Sequence, residues 1–184
     1  MPQGGMAQRA DVLHAMAESA PWLTLATQAV ATRIVASHQR ALARPLLVGL
    51  PADATPLQWA QALFAAHTVV LAHDGADPTG DPGPRLIYAN RAALALWRRP
   101  WAELVGMPSR LTAAPAERAG RARDLAGVRQ EQAIRNYSGV RVDSQGRRFR
   151  IAGARVWTLW SGDPSDDGET CGQAAAFSDW WWLD

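Results

Sequence analysis

The chain has 184 residues, 48% of them hydrophobic, which is enough for one ordinary domain with a sizeable core. All of its 19 cationic residues are arginine, which excludes chemistry that depends on a lysine, such as a Schiff base or a P-loop. No apolar run approaches the roughly 18 residues that a membrane-spanning helix needs, which excludes an integral membrane protein.

The composition also indicates the compartment. Cys171 is the only cysteine, so an intrachain disulfide is excluded and a reducing compartment is favoured. Residues 1–20 lack the apolar segment and the cleavage site of a signal peptide. We therefore expect a cytoplasmic protein that does not bind a membrane.

The arginines are concentrated in two places. Arg118, Arg121 and Arg129 share one face of a predicted helix, and a second group follows at 147–150. We interpret both groups as solvated surface rather than as phosphate contacts. Because the net charge is only +2, the sequence gives no sign of the basic patch of a nucleic-acid-binding protein, and we expect no nucleic-acid partner.

The first third of the chain is predicted to be helical. We expect a flexible N-terminus at 1–20 and an amphipathic helix over 21–42, with Pro21 in its first turn. The apolar stripe predicted for this helix is Leu23, Ala26, Val30 and Ile34. The sequence Thr55–Gln58 is a capping box, so a second helix begins there and ends near residue 66. The two helices form an N-terminal helical extension at 21–66.

A change of hydrophobic period falls between Leu86 and Trp97, without a Gly or Pro linker. The residues before Asn90 form a short apolar run typical of a strand, and those after it have helical spacing. Asparagine is a preferred N-cap, because its side-chain oxygen accepts a hydrogen bond from an early helical N–H. We therefore expect Asn90 to begin the helix and fold it back over the sheet. Loss of this cap would cost about 1 kcal/mol.

The remaining elements are predicted from turn residues and from a period of two after Ala133. They are strands at 68–72, 134–142, 148–160 and 170–180, and helices at 100–106 and 116–130. A change of inward parity near Gly153 indicates a bulge. The order predicts an α+β fold, a five-stranded antiparallel sheet with helices on one face, preceded by N-terminal helices.

This order of elements, with Tyr88-Ala-Asn90 closing the second strand, resembles the PAS fold. More narrowly, six segments resemble the MEKHLA domain, a PAS-related module found alone in bacteria and at the end of plant class III homeodomain–leucine-zipper factors. They are MAESAPWLTLATQAVATRIVASHQR, NRAALALW, GMPSRLTA, YSGVR, GRRFRI and CGQAAAFSDW. The resemblance covers about residues 12–180. It implies a PAS-like core at 67–180 and a tryptophan-rich tail at 181–184.

No catalytic constellation stands out in the sequence. The four histidines show no i, i+4 pair of the kind that binds a metal on a helix, and neither a nucleophile elbow nor a Gly-rich phosphate loop is present. His73-Asp74 is the nearest approach to a catalytic pair, and its place at a turn-forming strand end favours a structural role. We expect neither enzymatic activity nor a metal site.

The resemblance also introduces a cofactor alternative. Gly106–Leu111 lines up with the G-x-x-C-R-x-L segment of light-sensing LOV domains, in which the cysteine attacks the excited flavin and the arginine holds its phosphate. Arg110 matches that arginine, but Ser109 replaces the cysteine, and a hydroxyl is a far weaker nucleophile than a thiolate. The two asparagines that bind the flavin ring correspond to Arg141 and Ile151. We expect no cofactor, with a flavin- or other cofactor-binding photoreceptor or redox sensor as the alternative.

The leading hypothesis is a stand-alone PAS-like sensory or interaction module that binds a small ligand or a partner protein in signalling. The helix that begins at Asn90 would close one side of an apolar cavity. The residues predicted to bind a ligand are Tyr88, Asn90, Leu94, Trp97, Ser109, Arg110 and Tyr137. The further apolar lining predicted for it is Leu104, Leu111, Ile134 and Val156. A core filled by the same apolar residues is the alternative.

Protein partners are predicted from two exposed apolar regions. Three adjacent indoles at 180–182 cannot all point inward from one strand, so at least one is expected on the surface. Trp22, Ala29 and Val35 lie partly outside the apolar stripe of the first helix, so a second contact would bury them. We expect a homodimer through this helix, with a monomer whose helix covers its own sheet as the alternative. Since no output segment is recognised, a signal is expected to pass through a partner protein.

Overall fold

The computed structural model describes residues 19–162 and 168–183, so most of the predicted flexible N-terminus lies outside the described residues. The helices are α1 (Leu25–Leu42), α2 (Pro56–Ala65), α3 (Arg91–Trp97), α4 (Trp101–Leu104) and α5 (Arg118–Glu131). The strands are β1 (Val69–Asp74), β2 (Leu86–Ala89), β3 (Ala133–Val142), β4 (Arg148–Trp160), β5 (Thr170–Phe177) and β6 (Asp179–Trp182). No helix in the described ranges is both long enough and apolar enough to cross a bilayer.

The strands form one antiparallel sheet in the order β2-β1-β5-β4-β3, as expected for the predicted α+β PAS-like fold. The described sheet has six strands rather than five, because the predicted last strand is interrupted at Ser178 and its end, β6, pairs with a different part of β4. Gly153 lies between the two parts of β4, with a φ of 62° that glycine adopts readily. The buried parity of β4 changes at this glycine, as predicted.

Helices cover both faces of the sheet. Helices α1 and α2 pack on the face that carries Val70, Tyr88 and Trp157, whereas α3 packs on the face that carries Leu71 and Phe177. The prediction of helices on one face is therefore incomplete, since the N-terminal extension covers the other. The physical reason lies in β1, whose first five residues are all buried, so that both of its faces need an apolar cover.

The buried face of α1 differs from the predicted stripe. Leu23 and Ala26 are exposed, and the helix begins only at Leu25, after Thr24 caps it by accepting a hydrogen bond from the Thr27 N–H at 3.2 Å. The residues that α1 buries are Thr27, Ala31, Ile34, Ser37, His38 and Leu42.

Hydrogen bonds to β4 set this rotation of the helix. The Trp157 indole donates to the Ile34 carbonyl at 3.3 Å, and the Ser37 hydroxyl accepts from the Trp160 N–H at 3.1 Å. His38 lies between α1 and the sheet, with its Nδ1 3.0 Å from the Arg44 carbonyl oxygen. Burial and the nearby charge of Arg155 lower the pKa of His38 to about 4, so it is neutral at pH 7.

Asn90 is fully buried and begins α3, as predicted. Its Oδ1 accepts hydrogen bonds from the Ala93 N–H at 3.1 Å and from the Val70 N–H at 3.0 Å. Its Nδ2 donates to the carbonyl oxygens of Thr68 at 2.7 Å and Ala66 at 3.2 Å. One amide therefore joins the end of α2, the start of β1 and the first turn of α3.

We predict that Asn90→Ala lowers the free energy of unfolding by about 3 kcal/mol, well above the roughly 1 kcal/mol expected for a cap alone. The excess arises because buried backbone groups on β1 lose their partners as well. Thr55→Ala is the matched control, since Thr55 is an exposed N-cap that bonds only within its own helix turn, and its loss should cost about 1 kcal/mol. Urea unfolding of both variants measures the difference, and equal losses would contradict the role assigned to Asn90.

Candidate functional site

A cavity of about 50 Å³ lies between the sheet and helices α3 and α5. Side chains of one strand face are aligned across the sheet, because Leu71 pairs with Ala175, Val156 also pairs with Ala175, and His73 pairs with Gln173. These residues form much of the cavity wall. Trp97 of α3 and Arg121 of α5 line it from the opposite side.

The polar end of the cavity is on β3. Arg141 is only 7% exposed, and its guanidinium donates to the Tyr137 hydroxyl at 3.1 Å and to the Val140 carbonyl at 2.9 Å. Gly139 lies between Tyr137 and Arg141 on the same strand face. A Cβ at Gly139 would lie 2.8 Å from Arg141 Nη1 and 3.0 Å from Tyr137 Oη, so glycine leaves the space in which the two side chains meet.

Arg121 brings a second cation to the same cavity. Burial and, after it, the charge of Arg141 lower the pKa of Arg121 to about 9, against an opposite effect of Tyr137. The guanidinium nevertheless remains protonated at neutral pH. Among the side chains that the structure describes, no carboxylate lies within 4.0 Å of Arg121 or Arg141.

Of the predicted site residues, Trp97 and Tyr137 line the cavity, and so does Val156 from the predicted apolar lining. Tyr88 does not, because its side chain lies on the other face of the sheet beneath α1 and α2, with its ring 5.8 Å from that of Trp101. An irregularity in the pairing of β1 with β2 explains this, since Ala72 pairs with Tyr88 but the next residue, His73, pairs with Leu86. Ile87 is skipped in this pairing, so the side chains on either side of it point to opposite faces of the sheet.

The other predicted residues lie around the cavity rather than in its wall. Asn90 uses its amide for the backbone bonds described above, and Leu94 is half-buried in the core beneath α3. Ser109 is fully buried, and its hydroxyl has no hydrogen-bond partner among the described residues. Arg110 forms an ion pair with Asp81, in which Nη2 of the arginine lies 2.7 Å from Oδ1 of the carboxylate.

The predicted apolar lining needs three further corrections. Leu111 is 39% exposed, so it does not line an internal cavity. Leu104 is fully buried, but in the core cluster under α3 rather than at the cavity wall. Ile134 packs against Val156, which lines the cavity, but Ile134 itself is not part of the wall.

Sequence reasoning missed the polar residues that matter most here. Arg121 was assigned to a solvated helix face, whereas it reaches the cavity, and Arg141 was considered only as a mismatch to a flavin site. Gln173 also lines the cavity, and it is a polar residue inside the otherwise apolar strand sequence CGQAAAF. A polar residue within a buried strand is the kind of signal that could have identified it.

The tryptophan-rich end of the chain follows the expectation of partial exposure. Trp180 is 37% and Trp181 is 48% exposed. Trp182 packs its ring 5.6 Å from that of Phe149, and the Arg147 guanidinium lies 4.0 Å from the centre of the same indole. Described His, Cys, Asp and Glu side chains form no group of three or more that could hold a metal ion.

The family model of the MEKHLA domain matches residues 28–182. The chain belongs to the MEKHLA domain family. This confirms the resemblance on which the sequence interpretation rests, with a later start than the predicted residue 12. A comparison with curated proteins finds no significant match.

Solved structures similar to this MEKHLA domain have the PAS fold. The PAS domain of a Colwellia psychrerythraea protein is 11% identical, and the match has a TM-score of 0.53 and covers 65% of this chain and 92% of that one. An RNA-binding Light-Oxygen-Voltage receptor is 20% identical with a TM-score of 0.52, and the match covers 77% of this chain but only 35% of the receptor. These likenesses establish the fold.

The cavity does not fit a flavin. Small-molecule sites usually have about 300–1,000 Å³, several times the volume found here. Arg141 and Ile151, which correspond to the ring-binding asparagines of LOV domains, both line this cavity, so the polar edge of a flavin would lack its amide partners.

We predict that the purified protein shows no flavin absorbance and no light-induced spectral change. Excess flavin mononucleotide should keep the fluorescence polarisation of the free compound when the protein is added, because the cavity is too small for a flavin. No light-induced adduct is expected, since Ser109 stands where LOV domains have their reactive cysteine. Absorption spectroscopy before and after blue light, with heat-released supernatant as the control for bound flavin, measures this. A yellow preparation with one flavin per chain would show that the assignment is wrong.

Proposed function

We propose that this MEKHLA domain is a non-catalytic sensory module that binds a small ligand between its sheet and helix α5. The observation that carries the proposal is the pair of cationic side chains, Arg121 and Arg141, at an otherwise mainly apolar cavity. Small-molecule sites are typically apolar concavities into which a small number of polar groups point. A core that only filled space would hold the buried cation of Arg141 beside the half-buried cation of Arg121 at a cost and without benefit.

The arrangement also suggests how binding would be transmitted. Arg121 belongs to α5, whereas Arg141 and Tyr137 belong to β3 at the edge of the sheet. A ligand that contacts both sides would therefore stabilise the docking of α5 on the sheet. Binding that favours one position of a helix shifts the population towards it, and the outer face of α5 then changes for a partner protein.

A ligand-binding screen tests this proposal. We predict that saturation-transfer NMR with a mixture of small neutral, cationic and anionic metabolites gives signals with the wild-type chain and loses them with Ala175→Val. The added methyl groups of this variant occupy a cavity of only about 50 Å³.

Ala152→Val is the matched control, because Ala152 is a half-buried strand alanine outside the cavity wall. It should leave the signals unchanged. Absence of saturation transfer to every metabolite, or equal transfer with both variants, would contradict a ligand site in this cavity.

We further propose that the protein forms a homodimer through the N-terminal end of α1. Leu25 is 82% and Leu23 is 48% exposed, and Ala26 continues this apolar surface along the helix. The opposite side of α1 already packs on its own sheet, so a second copy is the occupant that would bury these residues. Val30 is half-buried against the core, so a substitution there would also disturb the packing of the monomer. Leu25 is therefore the better position for a test.

The predicted result is a dimer at micromolar concentration for the wild type and a monomer for Leu25→Glu, measured by light scattering. A charge at the centre of an apolar contact would be buried without a partner. Val48→Glu, at a position 85% exposed in the segment between α1 and α2, is the control and should remain dimeric. A monomeric wild type would exclude the dimer, and a dimeric Leu25→Glu variant would exclude this interface.

A further inference from the structure

We propose that the ligand of the cavity is a short-chain organic carboxylate. Its carboxylate group would bind the guanidinium groups of Arg121 and Arg141, and its alkyl group would lie against the apolar wall. This inference rests on the proposed function, because it names the chemical class of ligand for the same cavity.

The unbalanced charge is the first argument. Arg141 is nearly fully buried and spends two of the five N–H donors of its guanidinium on the Tyr137 hydroxyl and the Val140 carbonyl. Arg121 faces the same space, and no described carboxylate neutralises either residue. The cation of buried Arg141 and that of half-buried Arg121 destabilise each other at one cavity, and an anion between them would offset this cost.

The donor geometry favours a carboxylate over a spherical anion. A guanidinium presents N–H groups in a planar fork that matches the two oxygens of a carboxylate. The Tyr137 hydroxyl, which accepts from Arg141, has its own proton available to donate to the same ligand.

Cavity size and wall chemistry limit the rest of the molecule. A cavity of about 150 Å³ is known to accept benzene, so about 50 Å³ restricts the ligand to a few non-hydrogen atoms. Leu71, Val156 and Phe177 supply an apolar wall beside the arginines. An acid with a short alkyl group uses both surfaces, whereas inorganic phosphate would use only the cationic one.

A basic groove provides the route of entry. A surface groove of about 380 Å³ lies between the 78–80 loop and the start of α5. Arg118, Arg121 and Arg123 line it, together with Arg110, whose charge is paired with Asp81. Arg121 lines both the groove and the cavity. Clefts lined by one sign of charge concentrate ions of the opposite sign, so the groove would lead an anion to Arg121.

Thermal unfolding of the full-length chain tests the inference. Sodium propionate, compared with sodium chloride at equal ionic strength, should raise the unfolding midpoint of the wild type by mass action. In Arg121→Gln the apparent affinity for propionate should fall roughly tenfold or more, as expected for a lost charge-assisted hydrogen bond. Without propionate this variant should be at least as stable as the wild type, because one of two like charges is gone.

Arg91→Gln is the matched control, since Arg91 is an exposed arginine that lines neither the groove nor the cavity. It should retain the response to propionate. Arg141→Gln should lose the response, and a ¹³C NMR titration of labelled propionate with the wild type measures binding independently of the stability of any variant.

Four results would overturn the inference. An equal response of wild type and Arg121→Gln, or an equal response to phosphate and propionate, would indicate an adventitious ion only. Propionamide binding as tightly as propionate would exclude a role for charge, yet it would leave a ligand-binding cavity in place. Lack of binding to propionate alone, with saturation transfer to other metabolites, would likewise refute the carboxylate and retain the proposed function.

Discussion

The amide group of Asn90 is the constraint on which the rest of the structure depends. At Asn90, strand β2 passes directly into helix α3 without a loop. The same amide also forms hydrogen bonds with backbone groups of β1 and of the residue that ends α2. Buried backbone groups need partners, so four segments are held together at one point. Trp97 at the far end of α3 reaches the cavity because Asn90 sets where that helix begins.

The two faces of the sheet have different roles as a result. One face is closed by α1 and α2, and hydrogen bonds from Trp157 and to Ser37 hold α1 against it in one rotation. The other face is covered by short helices and by α5, and there the packing leaves a small cavity. A sheet buried on both sides has its polar backbone satisfied by its own pairing, so side chains decide the chemistry of each face. On the cavity face those side chains include Arg141, and Arg121 of α5 lies across the cavity from the sheet.

Asp143 and His38 are buried ionisable groups whose charge is accommodated. Asp143 pairs with Arg98, and His38 is neutral and bonded to a backbone carbonyl. Arg121 and Arg141 differ, since the described residues offer them no carboxylate. A buried charge without a partner is costly, and proteins tolerate such a cost mainly at functional sites. These two arginines are therefore the residues on which the proposed ligand binding depends.

The sequence by itself determined the features that neighbouring residues control. The Asn90 cap, the Thr55 capping box and the change of parity at Gly153 depend on a few adjacent positions, and the family followed from short motifs along the chain. Tertiary structure alone decided which way elements face. Because Ile87 is skipped in the pairing with β1, the Tyr88 side chain points away from the cavity. Hydrogen bonds with β4 set the rotation of α1, so the face that this helix buries differs from the predicted one. The place of Arg121 at the cavity likewise depends on strands distant in sequence, because a helix pattern shows which residues share a face but not what that face will meet.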